Sequence, residues 1–374
     1  MTIGLPGPSG PPVARAPETV TLGAHLAGCL QRLRAAAGYP VTGIEDMRAL
    51  HELLGAAGSL PLGGQPASAS FVSDDHTPAE LSVSFPGGGV PSVRVLVEPG
   101  CVAPTLAESA RVGRRAVERL AERWGCSTGP LRLVEDLFLP PAPRGRFALW
   151  CALELRCGGT PGIKVYLDPL ARGPEGAAAA VGEALGRLGH GRAWPALLES
   201  AASRPGDELM FFSVDLGDWA APRVKVYVAH RGISAEGAGH IARLACGGGR
   251  PGVARFCREA AGTGMFDRRP LVSCFSFTGR DAARPTAHTV HVPVRDYVRD
   301  DREARDRAAA LLLRRGVPAA PLDRALAAMT SRDLGGGVGL ISYLSLVQAD
   351  GAEPRLTVYL SPEAYRVRAP RTSG

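Results

Sequence analysis

The sequence predicts an α+β protein: a closed barrel of ten antiparallel strands in five hairpin units, with a solvent-containing lumen and an outer ring of α-helices. Three observations carry this expectation. Ten short stretches alternate apolar and polar residues, they fall into five pairs joined by turn residues, and the intervals between pairs carry apolar residues at helical spacing.

In chain order, ELSVSF (80–85) pairs with PSVRVLVEPG (91–100), ALWCALEL (148–155) with PGIKVYLDPL (161–170), and FFSVDL (211–216) with PRVKVYVAHR (222–231). LVSCFSF (271–277) then pairs with AHTVHVPVRD (287–296), and ISYLSLV (341–347) with PRLTVYLSPE (354–363). Connections such as PGGGVP and RCGGTPG are turn-forming. Helices are expected over 106–125, 175–189, 236–245 and 298–316. A unit of two strands and its helices thus recurs about every 65 residues, and ten strands close into a barrel because open edges invite aggregation. One domain is expected over 21–365, with a disordered tail at 1–20 and a flexible tail at 366–374, both rich in proline, glycine or arginine.

Composition narrows the function classes. The chain of 374 residues is 45% hydrophobic, enough for a full core, and it has no apolar run of the length a membrane span needs. Eight cysteines lack any CxxC pair, and no signal segment opens the sequence, so a cytoplasmic protein with reduced thiols is expected. The net charge of +7 suits an anionic ligand. Nucleic acid is not expected, because the arginines are scattered among helices without interleaved aromatics. Metal chemistry is not expected either: Asp74 and Asp75 are adjacent, but there is no DDxxD, HExxH or CxxC.

Aligning the second strands of the hairpins places Arg94, Lys164, Lys225, Thr289 and Thr357 in one column. Two residues on stand Leu96, Tyr166, Tyr227, His291 and Tyr359. The valines and leucines between them belong against the helices, which leaves the polar set for the lumen. An open sheet with its polar face in water has the same alternation. In a barrel, however, Arg94, Lys164, Arg223, Lys225 and Arg355 converge, and their donors match the terminal oxygens of a diphosphate. Tyr166, Tyr227, Tyr343 and Tyr359 offer ring faces to a cation. Glu80, near the start of the first inward-facing strand, is the candidate base for an aromatic N–H or O–H.

The phrases DDHTPAELS, VRVLVEP, GIKVYLDP, PRVKVYVAH and LTVYLSP together resemble the aromatic prenyltransferases of the dimethylallyltryptophan synthase type, over roughly Ile44 to Tyr365. The resemblance implies the prenyltransferase barrel, a bacterial member, and metal-independent transfer of a dimethylallyl group from its diphosphate to the indole of tryptophan or a related indole. The diphosphate is a co-substrate and no cofactor is implied. By the same resemblance Glu80 holds the indole N–H, and Arg94, Lys164, Arg223, Lys225 and Arg355 hold diphosphate. Tyr166, Tyr227, Tyr343 and Tyr359 form the cation shield, and Lys164 is also a candidate for the final deprotonation. The fourth unit departs from the pattern with Thr289 and His291, both assigned toward diphosphate, while His76, His230 and His288 are read as structural or solvent-facing. A phenolic acceptor in the same barrel, or a non-catalytic small-molecule binder, stands as the alternative. The expected partners are small molecules, and the expected state is a monomer or weak homodimer.

Overall fold

The computed structural model describes residues 20–40, 43–217, 222–245, 252–279 and 283–372. Among the described residues there are twelve strands: β1 (Ala79–Phe85), β2 (Ser92–Val97), β3 (Leu149–Arg156), β4 (Gly159–Leu167), β5 (Asp207–Leu216), β6 (Val224–His230), β7 (Ile233–Ser234), β8 (Met265–Phe266), β9 (Leu271–Phe277), β10 (Ala287–Val292), β11 (Ile341–Ala349) and β12 (Arg355–Leu360). Ten of them form a closed antiparallel barrel in the order β1-β12-β11-β10-β9-β6-β5-β4-β3-β2. The short strands β7 and β8 pair outside it. Closure between the first and last strands matches Ser82 with Tyr359 and Ser84 with Thr357.

The alternation assigns the two faces as expected. Val224, Val226 and Val228 are wholly buried, as are Val93, Val165, Val290 and Val358, all in the same apolar cluster as the helices. Burying each such side chain contributes roughly 1.5–3 kcal/mol. The lumen face therefore has freedom to be polar, because the outer face already supplies the core.

The four expected helices form at Leu106–Arg123, Ala177–Arg187, Ala235–Ala242 and Asp301–Leu313. Their starts are encoded locally. Thr105 accepts from Glu108 N, Ser234 from Gly237 N and Asp300 from Glu303 N, each satisfying an amide with no intrahelical partner. Further helices at Leu22–Ala36, Ile44–Leu54, Trp194–Ala201, Val253–Ala261 and Ala320–Met329 add to the outer ring. No helix among the described residues is long and apolar enough to cross a membrane.

The disordered tail expected at 1–20 lies outside the described residues except for Val20. The tail expected from residue 366 makes backbone contacts over its described part. Val338 and Arg368 form a β-bridge, Val338 N donates to Arg368 O at 3.0 Å, and Arg371 N donates to Arg299 O at 2.8 Å. Asp74 and Asp296 attract the arginines of this segment.

Candidate active site

All five barrel hairpins turn at one end, so residues at equal depth on different strands form layers across the lumen. Nearest the turns is a cationic layer, and its cavity of about 360 Å³ is lined by Arg94, Arg223, Lys225, Thr289, Arg355 and Thr357, among others. Behind it lies an arc of rings. Centroids of Tyr166 and Tyr227 are 5.8 Å apart, Tyr227 and His291 6.0 Å, His291 and Tyr359 5.6 Å, and Tyr359 and Tyr343 6.3 Å. Beyond the arc is a second cavity of about 150 Å³, with Glu80, Trp150, Phe211, Arg269, Arg295 and Tyr343 in its wall. Tyr227, His291 and Tyr359 line both cavities and form the waist between them. A wider depression of about 970 Å³ touches Arg355 but also Leu346 and Gln348 on the outer face of β11, so it lies largely outside the barrel wall.

The cationic layer has too few carboxylates. Asp215 accepts from Arg223 Nε at 2.7 Å and stands 3.3 Å from Lys164 Nζ, while Glu154 is 3.7 Å from Arg223. Among the described residues neither Arg94 nor Lys225 forms an ion pair, and Arg94 Nε is buried without a hydrogen-bond partner. Unpaired buried charge is costly, which makes the layer a trap for an anion. Burial alone would raise Glu154, yet the field of Arg94, Lys164, Arg223 and Lys225 holds it at about 2. Burial, reinforced by Lys225, brings Lys164 down to about 7.

Lys164 does not itself reach the cavity wall. It is 4% exposed and turned to Asp215, and its amine lies beneath the clamp. His291 lines both cavities. Burial first, then Lys225 and Arg94, bring its pKa to about 3, so it is a neutral imidazole. Its Nδ1 is 3.3 Å from Val272 O, and its Nε2 is 3.1 Å from the Tyr359 hydroxyl. That pattern fits donation to the carbonyl and acceptance from the phenol. Thr289 and Arg355 do line the cationic cavity, Arg355 at its exposed rim.

The tyrosines divide between two positions. Tyr166 and Tyr227 are buried, and burial pushes Tyr166 up to about 12 and raises Tyr227 and Tyr359 too, so all three are neutral phenols. Tyr343 stands apart from these three. It lies at the acceptor-side end of the arc, with the Arg295 guanidinium 5.0 Å from its ring centroid. That ring face is already occupied by a cation.

Glu80 lies in the second cavity, away from the clamp. Ser342 Oγ donates to its Oε1 at 2.6 Å, and burial raises its pKa to about 7 against the opposing pull of that hydrogen bond and of Arg295. Facing it, Phe147 stacks on Trp150 with centroids 4.2 Å apart, and Phe211 is 5.1 Å from Trp150. This greasy wall suits a flat aromatic guest. Trp150, Glu154, Phe211 and Asp215 were missed from the sequence, although alternation along the first strands of their hairpins carries the signal. Arg269, Arg295 and Asp74 lie outside the barrel strands, where no period identifies them.

Among the described residues no group of three or more His, Cys, Asp or Glu side chains could hold a metal ion. The description "tryptophan dimethylallyltransferase" belongs to the family model that matches residues 25–321. The chain is 49% identical to the prenyltransferase PriB in its ternary complex with L-tryptophan and dimethylallyl thiolodiphosphate, with a TM-score of 0.89 over 94% of this chain and 99% of that one. It is 47% identical to 5-dimethylallyltryptophan synthase from Streptomyces coelicolor, with a TM-score of 0.88 over 94% and 100% of the two chains. It is 43% identical to 6-dimethylallyltryptophan synthase from Micromonospora olivasterospora, solved with DMASPP and Trp, with a TM-score of 0.88 over 94% and 99%.

Proposed function

The chain belongs to the tryptophan dimethylallyltransferase family, and on that premise we propose that it transfers the dimethylallyl group of dimethylallyl diphosphate to the indole ring of tryptophan. The observation that carries this reading is the division of one lumen into an unpaired cationic cavity and an aromatic cavity holding Glu80, separated by neutral rings.

The residues divide the reaction as follows. Arg94, Arg223, Lys225, Thr289 and Arg355 hold the diphosphate and stabilise its charge as the allylic C–O bond breaks. The allyl cation forms at the waist, where the faces of Tyr166, Tyr227 and Tyr359 stabilise it by ~1 kcal/mol or more each and keep water away. In the second cavity Glu80 accepts the indole N–H, which raises electron density on the ring as a ring carbon attacks the cation. The ring proton then leaves to the departing diphosphate. Charge neutralisation comes from side chains, so the reaction requires no resident metal. Arg269 and Arg295 in the acceptor wall favour an indole bearing a carboxylate over a bare indole. A cytoplasmic location belongs to the same proposal, supported by seven free cysteines among the described residues.

The test is incubation with dimethylallyl diphosphate and a panel of indoles and phenols in excess chelator, with products identified by mass and NMR. Prenylated tryptophan is the expected product. Transfer to phenols alone would reject the acceptor class, and transfer to no ring would reject catalysis.

A further inference from the structure

We propose that the C-terminal segment 366–372 forms the outer support of the acceptor cavity, with Arg368 and Arg371 as positioning residues that hold Arg269 in place through Asp74 and Asp296. The inference rests on the functional reading above and adds a specificity element outside the barrel.

Arg269 lines the acceptor cavity but owes its pose to two carboxylates. Its Nη2 donates to both Asp74 oxygens at 3.1 Å, and its Nε donates to Asp296 Oδ2. Neither aspartate sits on a barrel strand. Arg368 Nη1 reaches Asp74 Oδ2 at 3.4 Å and lies 3.7 Å from Asp296 Oδ1. Arg371 Nη2 donates to Asp296 Oδ1 at 2.8 Å and its Nη1 to Asp296 O at 2.7 Å. Arg295, which also lines the cavity, is 3.1 Å from Asp74.

The tail's own burial pattern shows that these contacts are selective. Arg368 and Arg371 are half-buried, while Arg366, Val367, Ala369, Pro370 and Thr372 are exposed. A tail packed merely for coverage would bury Val367, yet Val367 is 41% exposed. Two aspartates shared by four arginines leave the cluster net positive. Arg368 and Arg371 therefore compete with Arg269 for the aspartates' charge, leaving the guanidinium of Arg269 freer to hold an anionic group on the acceptor. Without them Asp74 and Asp296 would claim Arg269 alone, and the loop carrying Asp74, which also carries the wall residues Phe71 and Val72, would lose an anchor.

The test uses full-length Arg368→Ala, Arg371→Ala and the double variant. The tryptophan KM is expected to rise about tenfold in the double variant, while the dimethylallyl diphosphate KM stays within about twofold. Transfer to 3-methylindole, which lacks the charged group, is expected to change far less, and Arg371→Lys should recover part of the loss. Hydrogen exchange of residues 70–78 should quicken while that of β6 does not. An equal rise in both KM values, or an unchanged tryptophan KM, would overturn the proposal. If the unaltered protein fails to prenylate tryptophan, the functional reading falls, and the exchange experiment decides the positioning role by itself: unchanged protection of 70–78 then overturns it.

Discussion

Ser342 donates a 2.6 Å hydrogen bond to Glu80, a residue 262 positions away in sequence. A register shift between Ile341 and Tyr343 makes this possible, because a bulged strand can present two consecutive side chains to the same side. The start of that strand is fixed by Asp301, which is fully buried and accepts from Gly339 N at 2.9 Å and Ile341 N at 3.2 Å.

The raised pKa of Glu80 sets a pH dependence. The ionised form accepts the indole N–H, so kcat/KM for the acceptor should rise with pH through about 7. Ser342→Ala removes a bond that favours ionisation, and the rise should move to higher pH. Glu80→Gln should lose about 10²–10³ in kcat, with the KM for dimethylallyl diphosphate nearly unchanged. A profile that stays the same in Ser342→Ala would contradict the assignment.

The same shift has a stability consequence with the opposite sign. The folded pKa of about 7 lies above the ordinary 4.5, so Glu80 contributes stability fully present below about 4.5 and lost as pH rises through 7. At pH 8 Glu80→Gln should therefore unfold at a higher temperature than the unaltered protein. Calorimetry at pH 5 and pH 8 checks this, since the gain should shrink at the lower pH.

Lys225 has no ionic partner among the described residues, and burial lowers its pKa. Lys225→Met should weaken diphosphate binding by about 10–100-fold while raising thermal stability, because an unpaired buried cation is replaced by a packed apolar chain. Titration calorimetry and a melting curve on one sample measure both. Loss of stability together with affinity would show that Lys225 is a structural residue.

Lys164, brought to about 7 by burial, should take up a proton when diphosphate enters the clamp above it. At pH 8, calorimetry in buffers of different ionisation enthalpy should find uptake of up to about one proton. Lys164→Arg, always charged, should abolish the uptake. Equal uptake in both proteins would place the titrating group elsewhere.

Opening the waist should let water reach the cation. Tyr227→Ala should divert product toward dimethylallyl alcohol, measurable by gas chromatography, with total diphosphate release less affected than transfer to the ring. An unchanged ratio of alcohol to prenylated indole would remove Tyr227 from the shield.

The sequence by itself determined the barrel and most of its lining. Strand alternation has a period of two, so Arg94, Lys225, Tyr166, Tyr227 and Tyr359 could be placed on one face without knowing any contact, and the apolar partners on the other face required helices outside. The hairpin order then implied closure. Tertiary structure alone decided how these residues are partnered. Lys164 turned to Asp215, His291 committed both nitrogens to Val272 and Tyr359, and Tyr343 took Arg295 on its ring face. Each of these choices is made by a partner distant in sequence, and alternation is blind to such partners. The acceptor end was the least legible part. Its aspartates and arginines sit on connections and on a tail with no period, held there by charge pairing that exists only once the barrel has closed.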